Sequence, residues 1–182
     1  MMHRKISQFL AAIFFLSFLF ACDKDEQPVA TVSDSFESGS IGEVASRGNN
    51  VWELSLADDN NNPELPDSWR SWWYVKMENL LPGVPTEITL KNSGWPYYYV
   101  PVYSYNQTDW FHFSEAEVTQ NDSSEVVVRK QFEQKSVWIA RFYPYTFTDL
   151  ENYLKTIKGN PNLEIQVPGY SQLGRSIYLL KI

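Results

Sequence analysis

The sequence contains one stretch whose residue types and spacing could bind a metal ion. His112 and Glu115 lie three positions apart, with Asp109 and Glu117 nearby. A catalytic zinc ion takes three protein ligands, usually imidazole and carboxylate groups, and keeps one position open. The chain has two histidines, and the other, His3, belongs to the N-terminal segment. Since no second imidazole is available, we interpret the stretch as a strand end that turns into a loop, and we predict no catalytic and no metal-binding residue in this chain.

A row of aromatic side chains is the second candidate for a binding site. Tyr97–Tyr99 lie between Trp95 and Trp110, and Trp72 and Trp73 are adjacent. Flat aromatic rings on an exported protein could stack against sugar rings. Successive side chains of a strand point to opposite faces, however, so that half of these rings must face the core. We therefore expect core packing rather than a sugar site.

The N-terminal residues are typical of a secretory signal. Arg4 and Lys5 precede an apolar run, Leu10–Phe20, that is shorter than the roughly 20 residues of a membrane-spanning helix. Ala21 is followed by Cys22, which is the single cysteine of the chain. This arrangement resembles a bacterial lipobox, in which the cysteine is lipidated and becomes the mature N-terminus. We predict lipidation at Cys22 and a membrane as partner through that anchor; the alternative is an ordinary signal peptide with a chance cysteine.

The residues after Cys22 bear on localisation and on partners. Asp23–Glu26 resembles the surface-export signal of some Gram-negative lipoproteins, whereas an Asp directly after the cysteine suggests inner-membrane retention in enteric bacteria. We expect a lipid-anchored protein of the bacterial cell envelope, at the outer membrane or cell surface. Without residues 1–21, and hence without Arg4 and Lys5, 13 of the 15 Lys and Arg remain against 22 Asp and Glu. So acidic a chain has no electrostatic basis for binding nucleic acid.

Residues 31–142 show short strands separated by turns. Trp52, Leu54 and Leu56 alternate onto one face of a strand, as do Trp73, Val75 and Met77 of another. Further strands are predicted at Thr86–Lys91, Tyr97–Ser104, Trp110–Phe113, Glu125–Phe132 and Val137–Phe142. About seven strands without a helical period between them indicate a mainly β fold, an antiparallel β-sandwich.

The pattern changes to mixed helix and strand after Tyr145. Thr148 and Glu151 have the spacing of a capping box, and apolar residues recur at helical spacing up to Ile157. This predicts a helix over Thr148–Lys158. Strands are predicted at Leu163–Val167 and Ile177–Ile182, so that a truncated α/β segment, with one helix and a strand pair, follows the sandwich.

Two short motifs in this last segment, and one upstream, carry a family resemblance. Pro-Tyr-Thr precedes the predicted helix, Gly-x-Ser-x-x-Gly-Arg precedes the last strand, and Phe36–Ser40 reads FESGS. The segment resembles the entry into the catalytic domain of zinc carboxypeptidases, and residues upstream resemble the β-sandwich of the cytosolic-carboxypeptidase-like branch. The residues of the two C-terminal motifs are Pro144, Tyr145, Thr146, Gly169, Ser171, Gly174 and Arg175.

From the residues themselves, these motifs are structural. Gly169 and Gly174 permit the positive φ angles of a tight reversal, and Ser171 can bond the backbone of its own turn. Arg175 could reach a carboxylate of a neighbouring element, which the sequence does not identify. We expect four segments: 1–21 signal peptide, 22–33 tether, 34–143 N-terminal β-sandwich domain, and 144–182 start of a carboxypeptidase-like α/β domain.

The resemblance implies a zinc enzyme that removes C-terminal residues from peptides with a zinc-activated water. It also implies that the family's zinc ligands, substrate-binding Arg and general-base Glu lie beyond Ile182. We therefore expect the N-terminal portion of an exported zinc carboxypeptidase-like lipoprotein, inactive alone, with zinc and a peptide or protein substrate belonging to the complete catalytic domain. The alternatives are a non-catalytic surface lipoprotein whose sandwich binds a glycan or a protein, and a degenerate gene product.

Overall fold

The protein folds as two facing β-sheets followed by a helix and a β-hairpin. The computed structural model describes residues 28–48, 50–58, 64, 70–92, 100–121 and 125–182. Cys22 and the Trp95–Tyr99 part of the aromatic row lie outside these residues. The first sheet has the spatial order β1 (Thr31–Ser33), β4 (Tyr74–Glu78), β10 (Val137–Ala140), β6 (Val102–Ser104), β7 (Trp110–His112). The second has the order β2 (Val44–Gly48), β3 (Val51–Ser55), β5 (Pro85–Lys91), β9 (Val126–Gln131), β8 (Val118–Gln120).

The core lies between the two sheets and follows the period of two. On β3 the side chains of Trp52 and Leu54 are buried while their neighbours are half-buried. Val75 and Met77 of β4 are fully buried against them, together with Ile139 of β10. Alternating burial on both sheets is the signature of a sandwich. The predicted mainly β sandwich is confirmed, as are the inward faces of these strands.

One strand pair departs from the antiparallel prediction. β3 and β5 run parallel, with Trp52 opposite Ile88, whereas the other pairs within the described residues are antiparallel. Parallel neighbours need a long crossover between them. The chain supplies it by leaving the second sheet after β3, forming β4 in the first sheet, and returning as β5. The connection between the two parallel strands thus contains a strand of the opposite sheet rather than a helix.

Residues 146–182, which we term the C-terminal unit, contain one α-helix and one antiparallel strand pair, as predicted. They are α1 (Phe147–Ile157), β11 (Glu164–Tyr170) and β12 (Ser176–Lys181). β11 extends three residues beyond the predicted end at Val167, because the register shifts between Gln166 and Gly169 and pairing then resumes. Such a bulge lets a strand continue past Pro168, which has no N–H to donate.

The N-cap of the helix lies two residues before the predicted one. Thr146 is the N-cap, and its Oγ1 accepts a hydrogen bond from the Asp149 amide at 3.1 Å. Asp149 Oδ2 accepts one from the Thr146 amide at 2.8 Å. The predicted box at Thr148 and Glu151 is therefore wrong: Thr148 lies in the first turn, and Glu151 accepts a hydrogen bond from Tyr178 Oη at 3.0 Å. Thr146 and Thr148 are each followed three residues later by a carboxylate, so that either threonine has the spacing of a capping box. The hydrogen bond of Glu151 with Tyr178 favours the earlier of the two.

The C-terminal unit exposes much of its apolar surface. Leu154 is the buried residue of α1, whereas Leu173, Ile177 and Leu179 of the hairpin are about half-exposed or more. Apolar surface of this extent is commonly covered by another part of a protein or by a partner. Within the described residues, the structure contains no helix of the length and apolarity needed to cross a bilayer.

The two candidate caps can be distinguished by substitution. We expect Thr146→Ala to destabilise α1 by about 1 kcal/mol, because the amide of the first turn loses its acceptor. Thr148→Ala is the matched control and should change the stability of the helix by a few tenths of that, since its hydroxyl caps nothing. Amide hydrogen exchange of α1 measures both. A larger effect at Thr148 than at Thr146 would contradict the observed cap.

Candidate functional site

The predicted metal-binding stretch lies at the edge of the first sheet. His112 ends the edge strand β7 and is exposed, and its ring contacts the ring of Tyr143 edge-on, with the centroids 5.3 Å apart. Glu115 begins a single 3₁₀ turn and is also exposed. The imidazole therefore packs beside the segment that leads into the C-terminal unit.

The neighbouring carboxylates already have partners. Glu117 Oε1 accepts a hydrogen bond from Lys130 Nζ at 2.7 Å, and its Oε2 accepts one from the Ser114 amide at 2.8 Å. Burial alone would raise the pKa of Glu117, but the hydrogen bonds from Lys130 and Ser114 outweigh it and lower the pKa. Asp109 Oδ2 accepts a hydrogen bond from Asn106 Nδ2 at 2.8 Å. These contacts are those of a strand end and its turns.

The stretch does not fit a zinc site. The part of the chain that the structure describes contains no group of three or more His, Cys, Asp or Glu that could hold a metal ion. His112 faces an aromatic ring, and Glu117 is held by a lysine. A catalytic zinc would need three ligands that converge on one point, and these residues do not supply them.

The Gly-x-Ser-x-x-Gly-Arg motif forms the turn between β11 and β12. Ser171 Oγ accepts a hydrogen bond from the Arg175 amide at 3.1 Å, as expected for a serine that bonds its own turn. Gly174 has a φ of 74°, which confirms its predicted role. Gly169 does not share that role, because its φ lies outside the left-handed region and it pairs with Ile177 within β11.

Arg175 projects from this turn towards the sandwich. Its Nη2 lies 4.0 Å from Glu37 Oε1, and its guanidinium carbon lies 5.6 Å from the centre of the Phe147 ring. Phe147 stacks on Tyr178 of β12, with 6.1 Å between centroids and 21° between planes. Glu37 belongs to the FESGS stretch, 138 positions before Arg175 in the sequence. The carboxylate near Arg175, which the sequence alone did not identify, therefore belongs to the sandwich.

Aromatic rings cover the outer face of the first sheet, the face opposite the core. We term Phe36, Trp72, Tyr74 and Trp110 the outer-face cluster. The ring of Tyr74 lies at its centre, 4.7 Å from that of Phe36, 6.1 Å from that of Trp72 and 5.8 Å from that of Trp110. No local pattern in the sequence indicates that Phe36 covers Trp72 and Tyr74 on this face.

Backbone carbonyls accept hydrogen bonds from the two indole N–H groups of the cluster. Trp72 Nε1 donates to the carbonyl of Ser38 at 2.9 Å, and Trp110 Nε1 donates to that of Gln107 at 3.1 Å. Both accepting residues have positive φ values, 63° for Ser38 and 62° for Gln107. A residue other than glycine is held in this conformation when its surroundings fix it. The two turns are therefore shaped by the aromatic rings that they hold.

A cleft of about 280 Å³ separates the outer-face cluster from the start of α1. Gln107 Nε2 donates to Tyr74 Oη at 2.8 Å at its base. Burial raises the pKa of Tyr74 and the charge of Asp149 raises it further, against the hydrogen bond from Gln107. The cleft is lined by Phe36, Glu37, Tyr74, Gln107, Trp110, Pro144, Thr146, Thr148 and Asp149. FESGS and the Pro-Tyr-Thr motif thus meet here, and the candidate site is a junction between two segments.

Comparison with solved structures finds a similar fold in bacterial metallo-carboxypeptidases. A metallo-carboxypeptidase from Burkholderia cenocepacia matches over 84% of this chain with 23% identity and a TM-score of 0.69. A metallo-carboxypeptidase from Pseudomonas aeruginosa, solved with (2-guanidinoethylmercapto)succinic acid, matches over 82% with 24% identity and a TM-score of 0.69. This chain spans 39% of the length of each. At these identities the likeness concerns the fold.

A comparison with family models identifies the sandwich. The model of the cytosolic carboxypeptidase N-terminal domain matches residues 32–142, which is more than half of the chain. A search of the curated proteins found no match. The matched residues run from β1 to the residue before Tyr143, and they include the FESGS turn and the outer-face cluster. The chain therefore belongs to the family of the cytosolic carboxypeptidase N-terminal domain.

Proposed function

We propose that this chain is the non-catalytic N-terminal part of an exported zinc carboxypeptidase-like lipoprotein. In this proposal the sandwich carries and orients a peptidase domain that begins with the C-terminal unit. The observation that carries the proposal is the junction, where the FESGS turn of a carboxypeptidase N-terminal domain meets α1 and the Arg175 turn. The fold likeness to bacterial metallo-carboxypeptidases, of which this chain spans 39%, supports it.

The roles that we propose for this chain and for the peptidase domain follow from which side chains of this chain already have partners. The enzyme would remove a C-terminal residue from a peptide or protein, and zinc in its peptidase domain would supply the activated water. His112 and the carboxylates around it do not fit that metal, so we assign no chemical step to them. The residues of this chain would instead bind and orient the peptidase domain, whose first elements are α1, β11 and β12.

The exposed hairpin is consistent with this arrangement. Val167, Ile177 and Leu179 are about half-exposed on a two-stranded sheet. An isolated hairpin is marginally stable in water, and further strands or a packed layer stabilise it. A peptidase domain would cover these side chains and complete the sheet.

The proposal includes export and a lipid anchor at Cys22. We expect cells that express the full chain to incorporate a labelled fatty acid into it, because the apolar run Leu10–Phe20 and Cys22 together resemble a lipoprotein signal. Cys22→Ser should abolish the label and leave the protein uncleaved or soluble. Ala21→Gly is the matched control, since it keeps a small residue before the cysteine, and it should retain the label. Equal labelling of the wild type and Cys22→Ser would rule out the anchor.

The proposal that this chain carries no catalytic zinc site is open to direct measurement. We expect the purified chain without residues 1–21 to retain far less than one zinc per molecule after dialysis, and to release no amino acid from the C-terminus of a test peptide. His112→Ala should leave both results unchanged, because its imidazole contacts the Tyr143 ring and belongs to no group of the described residues that could hold a metal ion. Stoichiometric zinc that is lost on this substitution, together with peptide cleavage by the wild type, would contradict the proposal.

A further inference from the structure

We infer that Glu37 is a positioning residue that sets the orientation of the C-terminal unit on the sandwich. Its carboxylate contacts two parts of that unit at once, the start of α1 and the turn that carries Arg175. Its importance for peptide cleavage rests on the proposed function. The orientation itself does not, because it is a property of the residues that the structure describes.

One oxygen of Glu37 forms both contacts. Oε1 accepts a hydrogen bond from the Thr148 amide at 3.3 Å and lies 4.0 Å from Arg175 Nη2. Thr148 is the second residue of α1, so its amide is one of the four at the start of a helix that have no partner within the helix. A carboxylate is favoured at this end by the helix dipole. Asp149 supplies a bond to the cap from within the helix, whereas Glu37 supplies one from the sandwich.

The turn that presents Glu37 has a backbone conformation that residues other than glycine adopt uncommonly. The next residue, Ser38, has a φ of 63°, and its carbonyl is held by Trp72 Nε1 at 2.9 Å. At Gly39 a Cβ atom would lie 2.1 Å from the carbonyl oxygen of Asp34, so that only glycine fits. A strained backbone that its surroundings over-determine is typical of a segment with a positioning role.

Side-chain contacts also join α1 to the hairpin within the C-terminal unit. The guanidinium group of Arg175 lies over the Phe147 ring, which stacks on Tyr178. Tyr178 Oη donates to Glu151 at 3.0 Å, which joins β12 to the middle of α1. Side-chain contacts therefore join helix and hairpin at two places, and through them a contact at Glu37 can act on both.

The contacts of Glu37 are too exposed to contribute much to global stability. Its side chain is 28% exposed and that of Arg175 is 46% exposed. Ion pairs of this exposure stabilise weakly because water screens them. The sandwich core, which Glu37 does not enter, determines the unfolding midpoint. Orientation is the property that Glu37 can control, and it is the property to be measured.

The test uses isotope-labelled protein without residues 1–21 and compares Glu37→Gln, Arg175→Gln and the double variant. Residual dipolar couplings report the orientation of α1 and the hairpin relative to the sheets, and amide exchange reports the protection of Thr148. We expect Glu37→Gln to speed exchange at Thr148 about tenfold and to give the C-terminal unit an alignment tensor different from that of the sandwich. The double variant should be no worse than Glu37→Gln, because both side chains act in one contact.

Glu43→Gln is the matched control, since Glu43 is an exposed glutamate of the same sheet connection and lies away from the junction. It should leave the couplings and the exchange rate unchanged. An unaltered tensor in Glu37→Gln, or an equal change in Glu43→Gln, would overturn the inference. If Glu37→Gln also shifts the signals of the sandwich core, Arg175→Gln is the variant to use, because Arg175 lies outside the sandwich. A changed alignment tensor of the C-terminal unit in Arg175→Gln supports the inference, and an unchanged one overturns it. These readouts require neither zinc nor peptidase activity, so that failure of the inference and failure of the proposed function are distinguishable.

Discussion

The structure depends on covering the outer face of the first sheet. Tyr74, Val102 and Ala140 point away from the core of the sandwich, yet each is as fully buried as the residues between the sheets. A sheet with apolar residues on both faces must be covered on both faces. The second sheet covers one of them, and the outer-face cluster, with the segment that leads to α1, covers the other. This requirement brings residues of distant parts of the chain to one junction.

The polar groups of the junction follow from that burial. The indole N–H groups of Trp72 and Trp110 need acceptors once their rings are packed, and the carbonyls of Ser38 and Gln107 supply them at the cost of positive φ angles. The Ser38 turn adjoins Glu37, whose carboxylate accepts a hydrogen bond from the Thr148 amide at the start of α1. Burial of an aromatic ring, strain in a turn and the position of a carboxylate thus form one chain of causes. These are the contacts on which the proposed positioning role of Glu37 rests.

Much of the fold was predictable because its strongest signal is local. Alternating apolar residues identified the inward faces of β3 and β4, and the change of period after Tyr145 identified one helix and a strand pair. The start of α1 was predicted wrongly because Thr146 and Thr148 both precede a carboxylate by three positions. The tertiary hydrogen bond between Tyr178 and Glu151 favours the cap at Thr146. The parallel pairing of β3 with β5 was missed for a similar reason. Strand order depends on which sheet each strand joins, and local periodicity does not encode that choice.

The candidate site was less predictable than the fold. The motif residues were recognised as separate stretches, and Ser171 and Gly174 have the roles expected from their types. The partner of Arg175 could not be found, because Glu37 is one of 22 acidic residues and nothing local distinguishes it. The resemblance of FESGS to a family motif was the available signal. It marked the segment without showing what the segment contacts.

If the contacts at the junction hold the two parts together, the sandwich and the C-terminal unit tumble as one body. ¹⁵N relaxation of the unmodified chain without residues 1–21 tests this most directly, since it gives a rotational correlation time for each amide. We expect amides of α1 and β12 to share one correlation time with those of β4 and β10. A clearly shorter correlation time for the C-terminal unit would contradict it, because the unit would then tumble independently of the sandwich.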